Sequence, residues 1–241
     1  MAISARPYLQ EISIRTDVDI DLRGYPFSIP AVKQLGHLKF HPDVTFFVGE
    51  NGAGKSTILE AIAISMGFGP EGGTKNVQLL RTTDSVSQLH ASLRLSKSFY
   101  KPKDGYFLRA ESLFNVATYM DEIGTLDGSL HACSHGEAFM ALLTNKFSGK
   151  GLYLLDEPEA ALSPNRQLAA LCAVHQLVQD ESQFIIATHS PILLSYPNAK
   201  ILQFSDEGIS EVKYEDTEHY AITRDFLNNY PRRLEQLLSN G

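Results

Sequence analysis

Between Glu11 and Leu22 apolar and polar side chains alternate, Ile12, Ile14, Val18, Ile20 and Leu22 against Ser13, Arg15, Asp19 and Asp21. A period of two predicts a half-buried antiparallel strand over 11–22, closed by the turn residues Gly24 and Pro26. The run VTFFV at 44–48 has no such alternation, as in a strand covered on both faces. Directly after it Ile58, Ile62 and Met66 recur every fourth residue beside Leu59 and Ala63, predicting a helix over 56–66 that Gly67, Gly69 and Pro70 end. Residues 85–97 fit helix and strand equally. A strand is expected at 106–110, a short helix at 113–120 and a helix from Ser134 to Phe147 striped by Phe139, Leu142 and Leu143. Strands and helices then alternate: 152–156, a helix from Pro164 to about Val178, 183–188, a short helix after Pro191, strands near 200–204 and 208–214, and a helical end from about Glu218 broken at Pro231. Short apolar strands separated by amphipathic helices predict a parallel sheet covered on both sides.

Composition places this pattern in one compact unit. The chain has 241 residues, 43% hydrophobic and 20% charged, with 21 Lys plus Arg against 28 Asp plus Glu, a net charge of −7. That balance disfavours sequence-independent nucleic-acid binding by the bare chain. The two cysteines, Cys133 and Cys172, have no second ligand pair around either, which excludes a disulfide scaffold or a Cys-rich zinc module. An Arg and a Pro interrupt the N-terminal MAISARPYLQ, and no long apolar run follows, so the expectation is a cytoplasmic chain without membrane insertion.

GENGAGKST, Gly49 to Thr57, fits G-x-x-x-x-G-K-[ST] between a buried strand and a helix, the context in which that pattern cradles phosphates. Gly49, Gly52 and Gly54 let backbone N–H groups converge on an anion; Asn51 and Ala53 complete the loop, and the helix adds its positive end. Lys55 supplies a point charge for the β and γ phosphates, and Ser56 a hydroxyl for magnesium. A second carboxylate site is needed for the metal. LYLLDE at 152–157 ends a hydrophobic strand in Asp156, the expected metal ligand, and Glu157, the expected general base, which alternation along an extended chain would point elsewhere. Thr188-His189-Ser190 ends the next buried strand and offers His189 to the γ phosphate.

GENGAGKST, CSHGE at 133–137, LYLLDEPEAALSP at 152–164 and IIATHSP at 185–191, in that order, resemble the ABC-class ATPases, and within them the soluble RecF-like and SMC-like branch of AAA-type predicted ATPases. Transporter subunits more often carry Thr after DEP. The resemblance implies an α/β P-loop NTPase: a central, mostly parallel sheet flanked by helices, with an antiparallel β portion and a small helical lobe. It divides 1–241 into a nucleotide-binding core of about 1–80 and 150–215, a signature lobe of about 112–148 and a helical tail of about 218–241. It further implies ATP and Mg2+ as ligands and an ATP-dependent head-to-tail homodimer, with Ser134 and Gly136 touching the partner's γ phosphate. Glu111 stands where the family has a loop Gln that serves the metal, with Gln78 and Gln88 as alternatives in poorer contexts and a plain strand-end acid as the other reading of Glu111. Cys133 and His135 replace the usual Leu and first Gly of the signature, and Ser163 replaces an Asp. Ser134 and Glu137 also read as a capping box. Only 22 residues separate Glu111 from the end of Cys133, which excludes a long coiled coil there. Tyr25, Phe27 and Phe40 are candidates for the adenine, with core packing the simpler role for each.

The function implied is ATP hydrolysis driving dimerisation, coupled to an effector protein in repair or defence of nucleic acid, with direct nucleic-acid contact left open. The alternatives are a nucleotide-binding subunit of an ABC membrane transporter and an ATP sensor without turnover. Arg81, Arg94, Lys97, Lys101 and Lys103 bunch together, a pattern that solvated surfaces also show.

Overall fold

The computed structural model describes residues 5–18, 20–75, 87–109 and 135–239. The expected helix 113–120, Glu111, Cys133 and Ser134, together with Arg81 of the basic stretch, lie outside these residues.

Along the chain come β1 (Leu9–Ile14), α1 (Pro30–Lys33), β2 (Leu38–Lys39), β3 (Val44–Val48), α2 (Lys55–Ser65), α3 (Leu89–Ser92), β4 (Leu93–Lys97) and β5 (Asp104–Arg109). Then follow α4 (His135–Ala141), β6 (Gly151–Asp156), α5 (Pro164–Gln179), β7 (Gln183–Ala187), α6 (Pro191–Leu194), β8 (Lys200–Ser205), β9 (Gly208–Val212) and α7 (Glu218–Leu238). The larger sheet has the order β5-β6-β7-β3-β8-β9. Its first five strands run parallel and β9 closes the edge antiparallel to β8. Every residue of β3, β6 and β7 is buried, which explains why these strands are mostly apolar and lack a polar alternation.

Alternate side chains of these strands feed two cores. Phe46, Tyr153, Leu155, Phe184 and Ile186 pack on one face against Phe139 and Leu142 and against Ala170 and Val174 of α5. Phe47, Leu152, Leu154 and Ile185 pack on the other against Ile58, Leu59 and Ile62 of α2 and against Leu9 and Ile12 of a second sheet. That second sheet is antiparallel, in the order β2-β1-β4. Buried Gln183 fastens the two sheets together. Its Oε1 accepts from Leu9 N at 3.0 Å, and its Nε2 donates to Leu9 O at 2.9 Å and His41 O at 3.0 Å.

Three elements differ from expectation for local reasons. β1 ends at Ile14 instead of running to Leu22, because the Arg15 guanidinium folds onto Asp17 at 2.7 Å in a turn that leaves Leu22 49% exposed. The helix expected up to Phe147 is α-helical only to Ala141 and finishes as a π turn, Leu142–Lys146, in which Thr144 Oγ1 donates back to Met140 O at 2.8 Å. In α7 the break falls at Asn229, with φ −128°, two residues before Pro231, since a proline ring disfavours helical backbone ahead of it. α7 buries no residue, and Ile222, Phe226, Leu227, Tyr230 and Leu234 are exposed along it. Among the described residues no helix is long and apolar enough to cross a membrane.

Candidate nucleotide site

The site lies at the C-terminal ends of β3, β6 and β7, neighbours in the sheet, where ligands of open parallel sheets collect. Between β3 and α2 the chain turns on Gly49 (φ 139°), Gly52 (φ 82°) and Gly54 (φ 98°). At Gly49 a Cβ would stand 2.3 Å from the carbonyl oxygen of Phe204 in β8, so the loop can leave the sheet there only without a side chain. Asn51 is exposed at the tip, and Ala53 N closes a turn on Glu50 O at 3.2 Å. α2 starts after Gly54 with no side-chain cap, which leaves its first N–H groups to face the loop.

Lys55 is 4% exposed; its Nζ donates to Gly49 O at 2.7 Å and Glu50 O at 3.0 Å. Burial lowers its pKa, while Glu157, Asp156, Glu159 and Glu50 pull it back up. The Ser56 hydroxyl donates to Asp156 Oδ1 at 2.9 Å across 100 positions of sequence. Asp156 is the last residue of β6 and is 7% exposed. Thr57 Oγ1 lies 3.5 Å from the hydroxyl of Tyr25, which is 70% exposed beside the loop. Phe40 instead packs on Phe47 in the core, and Phe27 is partly buried against it. Core packing thus fits Phe40 and Phe27 but not Tyr25.

Glu157 does not continue the strand, as alternation suggested. It takes φ 49° and ψ 51°, and its N–H donates to Ala187 O at 2.9 Å. This left-handed turn, rather than the pleat, separates it from Asp156. Its Oε1 lies 3.6 Å from His189 Nε2. The backbone of His189 is held by Glu159, which sequence reasoning missed. Glu159 accepts from Thr188 Oγ1 at 2.7 Å and from His189 N at 2.5 Å. Burial raises the Glu159 pKa, and these two donors oppose it. Ser190 caps α6, accepting from Ile192 N at 3.1 Å and Leu193 N at 3.2 Å, and donates to Gln167 Oε1 at 2.5 Å.

Gly136, in the first turn of α4, has its own packing reason: a Cβ would meet Ala161 O at 2.6 Å and Arg166 Nη1 at 2.5 Å. Glu137 pairs with Arg166 at 3.0 Å. Ser163 Oγ caps α5, accepting from Arg166 N at 3.4 Å. Arg109, level with Asp156 on β5, pairs with Glu60 of α2 at 2.7 Å, a contact across 49 positions that the sequence pattern does not signal.

The residues fit a magnesium nucleotide. Buried Lys55, the glycine turns and the uncapped start of α2 form a cradle for phosphates, and Ser56 and Asp156 put two oxygens side by side for a hard cation. Among the described residues no three His, Cys, Asp or Glu side chains cluster to hold a metal by themselves.

Residues 26–113 match the family described as AAA domain. No curated protein matches the chain. An SMC head solved bound to the C-winged helix domain of ScpA is 14% identical, with a TM-score of 0.51 covering 86% of this chain and 98% of that one. The SMC head domain from Thermotoga maritima is 15% identical, with a TM-score of 0.47 covering 85% and 98%. A nucleotide-free ATP-binding cassette from an ABC transporter is 15% identical, with a TM-score of 0.48 covering 90% and 95%. The chain thus has the P-loop NTPase fold of ABC-ATPase type that the SMC head shows, and residues 26–113 carry its likeness to the AAA domain.

Proposed function

We propose that the protein binds ATP with magnesium, hydrolyses the bond to the γ phosphate, and closes as a head-to-tail homodimer that drives an effector protein in the repair or defence of nucleic acid. The observation that carries the catalytic part is the convergence of Lys55, Ser56, Asp156, Glu157 and His189 at the ends of three neighbouring strands. Lys55 and the N–H groups of Gly49 to Thr57 balance the charge of the β and γ phosphates. Ser56 and Asp156 would hold magnesium, with Glu111 the further ligand the sequence suggests; the ion, when bound, draws charge from the phosphate oxygens. Glu157 takes the proton of the attacking water, and His189 faces the γ phosphate. ATP and water become ADP and phosphate. Tyr25, whose hydroxyl lies 3.5 Å from Thr57 Oγ1, is the residue proposed to lie along the adenine.

The dimer rests on the family resemblance of the signature segment, with Ser134 and Gly136 reaching the partner's nucleotide. An effector protein is proposed by analogy with the SMC head that carries a domain of ScpA. Glu157→Gln is expected to bind ATP normally, to turn over at least about 100-fold more slowly, and to elute with ATP as a dimer in size-exclusion chromatography. Turnover at the unmutated rate removes Glu157 as the base, and a monomer under saturating ATP removes the dimer. The transporter alternative predicts co-sedimentation with membranes, which fractionation of cells tests directly.

A further inference from the structure

His189 is not alone beside Glu157. Its Nδ1 lies 3.0 Å from Nε2 of His219, the second residue of α7, with the ring centroids 5.1 Å apart. The outer nitrogens, His189 Nε2 and His219 Nδ1, are both buried and have no hydrogen-bond partner among the described residues. His189 Nε2 faces the Glu157 carboxylate at 3.6 Å.

Two imidazole nitrogens this close share one proton, and a neutral pair can place it in two ways. In the first, His219 Nε2–H donates to His189 Nδ1. His189 then carries its own proton on Nε2, toward Glu157, and His219 Nδ1 is a bare acceptor. In the second, His189 Nδ1–H donates to His219. A lone pair on His189 Nε2 then confronts a carboxylate, and His219 Nδ1–H becomes a buried donor without an acceptor. The second arrangement combines repulsion with an orphaned N–H, the costlier kind of unpaired group. Both rings resist protonation. Burial is the largest cause for each, helped by Lys55 for His189 and by His189 and Lys55 for His219.

Both rings are held in place from outside. The His189 N–H is bonded to Glu159. The start of α7 is fixed by the fully buried Thr217, whose Oγ1 donates to Tyr214 O at 2.7 Å, and Tyr214 Oη donates to Pro191 O at 2.8 Å.

We propose that His219 is a positioning residue that holds His189 in the Nε2–H tautomer, so that the nitrogen facing Glu157 and the γ phosphate is a hydrogen-bond donor. The γ-phosphate part rests on the ATPase reading above; the tautomer does not.

The test uses the full chain labelled with 15N-histidine, without nucleotide, in long-range 1H–15N correlation spectra. His189 is assigned by its loss in His189→Gln. The unmutated protein is expected to show the Nε2–H pattern at His189. His219→Phe keeps a ring but no donor, and is expected to lose that pattern and to lower kcat about 10-fold or more, with KM for ATP changed less than about threefold. His219→Gln, whose amide nitrogen can stand where Nε2 stood, is expected to restore the pattern and most of kcat. An Nδ1–H pattern at His189 in the unmutated protein overturns the proposal. So does a His219→Phe protein that keeps both tautomer and turnover. If His219→Phe does not fold, the unmutated spectrum and His219→Gln decide. If the unmutated protein does not hydrolyse ATP, the functional reading fails while the spectrum still decides the tautomer.

Discussion

Glu157 occupies a left-handed conformation, φ 49° and ψ 51°, that costs a residue with a Cβ about 1–2 kcal/mol. The strain is offset by the Glu157 N–H bond to Ala187, and it swings the carboxylate from the Asp156 side to His189. Gly49 is the opposite case, a position where any side chain is excluded. Gly49→Ala drives a methyl group to 2.3 Å from Phe204 O, and backbone at both ends of that contact is held by the sheet. The expected cost is about 2–4 kcal/mol, with loss of ATP binding, measured by chemical denaturation and calorimetry. An unchanged denaturation midpoint would show that the loop can move away from β8.

At the scale of elements, the apolar contact between the two sheets is supplemented by the hydrogen bonds of one buried side chain, Gln183. Gln183→Leu keeps the volume but leaves Leu9 N–H, Leu9 O and His41 O without this partner, so about 2–5 kcal/mol of stability is expected to be lost. Hydrogen exchange should show β1 opening before β3, and equal protection of both would contradict this. The parallel strands were legible because burial on both faces leaves an uninterrupted apolar run, as in β3 and β6. β1 was over-extended because Val18, Ile20 and Leu22 keep the alternating pattern beyond the point where Arg15 and Asp17 turn the chain. The π turn after α4 was not legible, since Leu142 and Leu143 satisfy a helical stripe in either geometry.

For the molecule as a whole, the phosphate cradle could be read in advance because one contiguous segment supplies the strand end, the glycines, the lysine and the helix start. The positions of Asp156, Glu157 and His189 were legible because they lie at or just beyond the ends of β6 and β7, strands that the apolar pattern already marks. Glu159 and His219 were not, since each meets His189 across 30 positions and nothing local to either residue announces the contact. The His189–His219 pair sets a pH response of the folded state. Both rings have pKa values pushed below the ordinary histidine range, mainly by burial, so near pH 6.5 the unfolded chain takes up more protons than the folded one. Their contribution to stability is therefore present above about pH 6.5 and is lost as pH falls from there toward the folded values. The melting temperature is expected to fall more steeply between pH 7.5 and 5.5 in the unmutated protein than in a His189→Gln, His219→Gln double variant. Parallel curves would show that other groups dominate.

The placement of His219 at the root of α7 has a mechanical consequence. Helix α7 breaks at Asn229, so its first arm, from Glu218 to the break, reaches about 17 Å, and a tilt of about 10° at its base sweeps that end through about 3 Å. A shift of the His189 ring, passed through its contact with His219 at the base of α7, would then emerge at the protein surface as a movement of this arm.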